Sequence, residues 1–169
     1  LTSALAGAAG LAFAQLAYAS PVTLAPISFS TEFQAELDAE LGAREGHVLQ
    51  RAVVDAVSRE LAERGATLTE GAPVTVEISI IDAAPNRPTM QQLVDTPGLD
   101  AIHSVSIGGA ELRAVLRSAD GRTLSEVTHR RYNYNLADVS GAATTWTEAR
   151  RAIRQFANKV ADAYVANVR

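Results

Sequence analysis

The chain is expected to fold as an α/β (α+β) two-layer sandwich, a mixed or antiparallel sheet with helices on one face. Three observations predict this. The run "VTVEISIID" (residues 74–82) alternates apolar and polar side chains, which buries one sheet face and leaves the other at least partly wet. Two segments, residues 49–61 and 146–164, repeat apolar residues at the helical period. Two further alternating runs flank Asp120-Gly121, a hairpin signal.

Taken in order, "VTLAPISFS" (residues 22–30) is an opening strand. Pro26 within it requires a sheet edge or a bulge, because proline has no amide to donate. Thr31 is placed to cap a helix in which Phe33, Leu37 and Leu41 recur every fourth residue, and Gly42 and Gly46 break or bend it. Leu49, Val53, Ala56, Val57 and Leu61 form the stripe of a second helical stretch, closed by Gly65. Residues 31–64 are thus a bent helix or a helix pair.

The strand at 74–82 leads into "PNRPTMQQLVDTPGLD" (residues 85–100), a connection much longer than a turn needs. Thr89 can cap one helical turn through Met90, Gln91, Gln92 and Leu93, and Pro97-Gly98 supplies an exit turn. Met90 with Leu93, or Leu93 with Leu99, can tuck beneath it, which predicts an ordered lid over a sheet edge. In the hairpin, Ala110, Leu112, Ala114 and Leu116 alternate with Glu111, Arg113 and Arg117. The phase slips between Leu124 and Val127, which predicts a bulge near Glu126. Thr145-x-x-Glu148 has the spacing of a capping box. Trp146, Ala149, Ile153, Phe156, Val160 and Tyr164 then form one apolar stripe, with Trp146 a core anchor. The element order is β-α-β-β-β-α.

With 169 residues, 47% hydrophobic and 20% charged, the chain is a single globular domain in size and composition. A net charge of -4 gives no general attraction to nucleic acid or anionic membrane. Residues 1–19 carry no charge, and Ala17-Tyr18-Ala19 is an A-x-A cleavage signal. We read 1–19 as a signal peptide and 20–169 as one α/β domain, periplasmic or secreted, with no stable membrane insertion once the signal is removed. An uncleaved inner-membrane anchor is the alternative. The absence of cysteine excludes disulfides, thiolate metal ligands and lipid attachment through cysteine.

The residues carry no catalytic constellation. His47, His103 and His129 lack metal-ligand spacing, so no metal or other cofactor is expected. There is no G-x-S-x-G elbow to single out a serine. "SIGGAE" runs into a strand instead of a helix, so Gly108-Gly109 marks a corner where backbones approach, and not a phosphate loop. "HRRYNYN" (residues 129–135) holds Arg130, Arg131, Tyr132 and Tyr134, types enriched at protein interfaces.

The candidate binding residues are therefore Asn86, Arg87, Gln91, Gln92 and Asp100 in the long connection, with Arg131 and Tyr134 second. Arg87 has a structural alternative, pairing with Asp82 or Asp100 to hold the loop. The leading expectation is a non-enzymatic exported envelope protein that binds a protein or a cell-envelope component. The rivals are a small hydrolase acting on a cell-wall or polar substrate through residues 82–103, using His103 with Asp95 and Asp100, and a small-ligand carrier. The carrier needs a cavity between sheet and helices, where the alanines suggest close packing. The sequence does not set the oligomeric state.

The phrases "PNRPTMQQL", "PGLD", "SIGGAELRAVL", "DGRTL" and "TWTEARRAIRQFANKV" resemble a group of uncharacterised exported bacterial single-domain proteins. The resemblance spans residues 74–165 and implies export without implying an activity. More distantly, the topology is similar to periplasmic envelope accessory domains of the curli-secretion and penicillin-binding-protein-activator types. That likeness is one of fold, and this chain differs in lacking a lipid-attachment cysteine.

Overall fold

A computed structural model describes residues 20–139 and 143–168. The expected signal segment, residues 1–19, lies outside the described residues. A six-stranded mixed sheet carries two long helices on one face. The strands are β1 (Ser20–Leu24), β2 (Ser28–Phe29), β3 (Ala66–Leu68), β4 (Val74–Ala84), β5 (Gly109–Ser118) and β6 (Thr123–Tyr132). The path across the sheet is β3-β1-β4-β5-β6, with β2 also on β4. β1, β2 and β3 pair in parallel, and β4, β5 and β6 antiparallel.

The predicted opening strand is split at its proline. Thr23 pairs with Thr75, whereas Ser28 pairs with Ser79, so one extra residue is accommodated between them around Pro26. Both sites open to this proline are met: the extra residue lies beside it, and among the described residues no strand covers its outer side, since β3 pairs only with Ser20–Val22 and β2 is paired with β4 alone. β3 was not foreseen, since three residues are too few to show a period.

The helical region 31–64 is one bent unit. α1 (Thr31–Glu36) passes into a π-helical turn (Leu37–Leu41) and, after Gly42, into α2 (Ala43–Glu63). Gly42 adopts φ 95°, which is cheap only for glycine, and its amide closes the π turn on the Leu37 carbonyl at 2.8 Å. The cap is Ser30, one residue before the expected Thr31: its hydroxyl accepts from the Phe33 amide at 3.1 Å.

α4 (Thr147–Val168) lies beside α2 over β5 and β6. Between the layers, Val53, Leu61, Leu112, Ala149, Phe156 and Ala157 are fully buried, and the sheet-facing alanines leave close packing there. Trp146 is buried, and its indole N–H donates to Glu45 at 2.7 Å, tying the start of α4 to the start of α2. The opposite sheet face is polar and carries cross-strand ion pairs, Arg117–Glu77 at 2.8 Å and Arg113–Glu126 at 2.7 Å. The hairpin bulge falls at Leu124: Leu116 pairs with Ser125 and Arg117 with Thr123. This corrects the predicted site near Glu126 and lets half-buried Leu124 turn toward the core. No helix among the described residues is long and apolar enough to cross a membrane.

Candidate functional site

The sheet end where β4 stops, β5 starts and β6 stops holds nearly all the sequence-predicted site residues. Asn86 organises it. This side chain is fully buried. Its backbone amide donates to the Thr145 carbonyl at 2.7 Å, and its carbonyl accepts from the Ser106 amide at 2.9 Å. Its side-chain Nδ2 donates to the Ser106 carbonyl at 3.3 Å, and its Oδ1 accepts from the Glu148 amide at 2.8 Å. The Glu148 amide belongs to the first turn of α4, where amides lack partners within the helix. A loop residue 62 positions upstream therefore caps α4.

The predicted Thr145–Glu148 capping box does not form. Arg150 donates to the Trp146 carbonyl at 2.9 Å, which puts Trp146 at the cap position and Glu148 only two residues beyond it. The Glu148 carboxylate instead meets Arg151 at 2.7 Å and Arg131 at 3.4 Å.

The glycine pair is the backbone corner that its sequence context predicts. A Cβ on Gly108 would stand 2.4 Å from the Asn86 Oδ1, and one on Gly109 would stand 2.3 Å from the Arg131 carbonyl oxygen. Tyr132 lies across Gly109, and its hydroxyl donates to the Asp82 carboxylate. Burial, and then that carboxylate, push the Tyr132 hydroxyl well above the usual tyrosine range. The Arg130 guanidinium sits 4.9 Å from the Tyr132 ring centroid, on the same face.

Arg87 plays the structural part. Its Nε donates to the Ala143 carbonyl at 2.7 Å and its Nη1 to the Ile102 carbonyl, strapping two later segments to the corner. Asp82 and Asp100, its expected partners, are engaged by Tyr132 and by a local turn. In α3 (Met90–Asp95) the expected Thr89 cap is a full capping box: Thr89 accepts from the Gln92 amide at 3.2 Å and the Gln92 Oε1 from the Thr89 amide at 3.1 Å. This occupies the Gln92 side chain. Gln91 is exposed and donates to Asp95 at 2.5 Å. α3 packs on the π turn.

Asp100 closes a surface turn, accepting from the amides of Ile102 at 2.7 Å and His103 at 2.6 Å. Those two bonds, the His103 amide first, hold its carboxyl below the usual range. His103 Nδ1 lies 2.9 Å from Asp100, with the imidazole 84% exposed. Asp95 is occupied by Gln91 at the surface. The three groups of the hydrolase reading are all exposed to solvent, Asp100 and His103 paired with each other and Asp95 held by Gln91. Among the described residues, no cluster of three or more His, Asp or Glu is arranged to hold a metal.

The polar candidates thus divide. Asn86, Arg87 and Gln92 are spent on internal bonds, and Arg131 faces the helix layer beside Glu148. Gln91, Asp100 and Tyr134 remain at the surface. The sequence did not single out the exposed apolar residues around them. Of the ten exposed large hydrophobic residues among the described residues, eight fall within 90–107 and 134–136. Val94 is 76% exposed, Ile102 71% and Tyr134 72%. Of the residues expected to pin the lid, Leu93 is half-buried, while Met90 and Leu99, its alternative partners, are both exposed. A short loop has no period by which to tell an inward apolar residue from an outward one.

The geometry first defines a class, the two-layer α/β sandwich. A hypothetical protein (CT253) from Chlamydia trachomatis shares it with a TM-score of 0.56 at 14% identity, covering 88% of this chain and 99% of that one. Also similar are a PelC dodecamer from Paraburkholderia phytofirmans (TM-score 0.48, 11% identity, 86% of each chain) and a minor lipoprotein from Acinetobacter baumannii (TM-score 0.40, 12% identity, 88% of this chain and 94% of that one). At such identity the likeness to the Chlamydia protein is one of fold. Within the class, the chain belongs to the family described as "Protein of unknown function (DUF3313)", whose model matches residues 6–160. No curated protein matches the chain. The likeness to curli-secretion and penicillin-binding-protein-activator domains remains an analogy of topology.

Proposed function

We propose that this is an exported bacterial envelope protein that works without catalysis, binding another protein or a cell-envelope component through the apolar end of its sheet. One observation carries the reading: Val94 and Ile102 are held in solvent on a connection that buried Asn86 and strapping Arg87 fix to the domain, and exposed Tyr134 follows Asn133, whose amide donates to the Gly108 carbonyl. Apolar groups grouped at one exposed end favour association, because covering them releases ordered water. A polar rim is present in Gln91 and Asp100. Export rests on the uncharged segment 1–19 and its A-x-A signal.

The test is site-specific photocrosslinking in intact cells. A photoreactive residue at Val94 or Ile102 is expected to give a discrete adduct heavier than the chain, while one at Arg51, exposed on α2, gives none. Recovery of the unadducted chain alone from both loop positions contradicts the proposal.

A further inference from the structure

β6 ends the sheet, and among the described residues it is paired on one side only. It is ten residues long, and an open edge of that length offers a row of free amides and carbonyls to another strand. The Asn133 amide donates to the Gly108 carbonyl at 2.9 Å. By the alternation of an antiparallel ladder, Arg131, His129 and Val127 then direct their backbone groups at β5. Glu126, Thr128 and Arg130 aim theirs away from the sheet. Their side chains stand on the helix-free face, and all three are exposed.

Opposite charges flank Thr128 at equal spacing, Glu126 on one side and Arg130 on the other. If two copies pair antiparallel with Thr128 facing Thr128, each Glu126 faces an Arg130, and all these residues have outward backbone groups to share. Centring the pair on Arg130 or on Glu126 instead sets like charges together, which is destabilising. Centring it on His129 or Val127 leaves both charges without a charged residue opposite. Within one copy, Arg130 meets Glu111 at 3.1 Å and Glu126 meets Arg113 at 2.7 Å. Across the junction the signs therefore alternate: Glu111, Arg130, then Glu126 and Arg113 of the second copy. A guard against pairing is served by charge of a single sign; charges of opposite sign at self-complementary positions select one register.

We propose that the chain forms a two-fold symmetric dimer in which β6 pairs antiparallel with β6 of a second copy, centred on Thr128. The dimer uses the β6 edge, whereas Val94 and Ile102 lie on the β4–β5 connection, so its test is independent of that proposal.

The chain contains no cysteine, so Thr128→Cys introduces a single thiol. Facing residues in a hydrogen-bonded antiparallel pair have Cα atoms roughly 5.5 Å apart, within the roughly 4.4–6.8 Å that a disulfide spans. Mild oxidation of the full chain carrying Thr128→Cys is expected to give a covalent dimer, while Arg51→Cys gives no covalent dimer. Sedimentation of the unsubstituted chain is expected to show a dimer. Thr128→Lys, which opposes two ammonium groups on the two-fold axis, weakens it about tenfold or more with the circular dichroism spectrum unchanged. An unsubstituted chain that sediments as a monomer at its highest soluble concentration overturns the proposal. So does a dimer that the Thr128→Cys thiol does not lock.

Discussion

The Asn86 Oδ1 accepts the Glu148 amide at 2.8 Å, and this one bond joins the long β4–β5 connection to the first turn of α4. Because Asn86 also holds Ser106 through both its backbone and its side chain, connection, helix start and sheet corner form one unit. Asn86→Ala removes the cap and strands a buried amide, so it is expected to cost about 2 kcal/mol in denaturant unfolding. Gly108→Ala is expected to cost about 1–3 kcal/mol, since its Cβ meets Asn86. Asn86→Ala deletes the atoms in the way, so the double variant loses less than the sum of the two. Strict additivity would show that the two residues do not share the corner.

The Tyr132–Asp82 contact predicts how stability changes in alkali. Below about pH 10 the hydroxyl is protonated in both the folded and the unfolded chain, so the contribution is fully present. Above it the unfolded chain ionises while the folded one resists, and stability falls as pH rises. Tyr132→Phe is expected to flatten that decline, with a remainder from Tyr164, whose hydroxyl burial also raises. Urea midpoints measured from neutral pH upward check this.

His129 bridges β6 to α4, with Nδ1 3.0 Å from the Lys159 amine and Nε2 3.2 Å from the Gln155 oxygen. Burial first, and Lys159 second, lower its pKa. Its contribution is present above its unfolded value of about 6.5 and is lost as pH falls through the folded one. In Lys159→Gln the pKa is expected to rise part of the way, because burial persists. Proton NMR titration of the imidazole reads it directly, and an unchanged value would contradict the contact.

Val94→Ser and Ile102→Ser remove apolar surface that is already in water. Each is expected to change unfolding free energy by no more than about 0.5 kcal/mol, against about 3–5 kcal/mol for Phe156→Ala in the core. Thermal and denaturant unfolding of the three variants makes the comparison.

Much of the fold was legible because its two faces differ so strongly. The alternation of β4 and β5 and the stripe of α4 follow from core on one side and water on the other. What escaped was short or non-local. β3 has too few residues for a period. The bulge was bracketed by Leu124 and Val127, yet nothing between them said which residue was extra. The α4 cap misled because a local motif matched while the working acceptor, Asn86, lies 62 residues away. The same distance hid the burial of Asn86, which composition alone marks as a surface residue. Arg87 was half read: its holding role was foreseen, its carbonyl partners were not.

The central claim is that residues 85–108 are an anchored platform holding apolar groups outward, and not a mobile loop free to fold them in. Amide hydrogen exchange at Asn86, Ser106 and Glu148 tests it most directly, since each donates to the corner. The account predicts that all three exchange slowly and together, near the rate of the α4 core. Rapid exchange at Asn86 and Ser106, with the rest of α4 still protected, would contradict it.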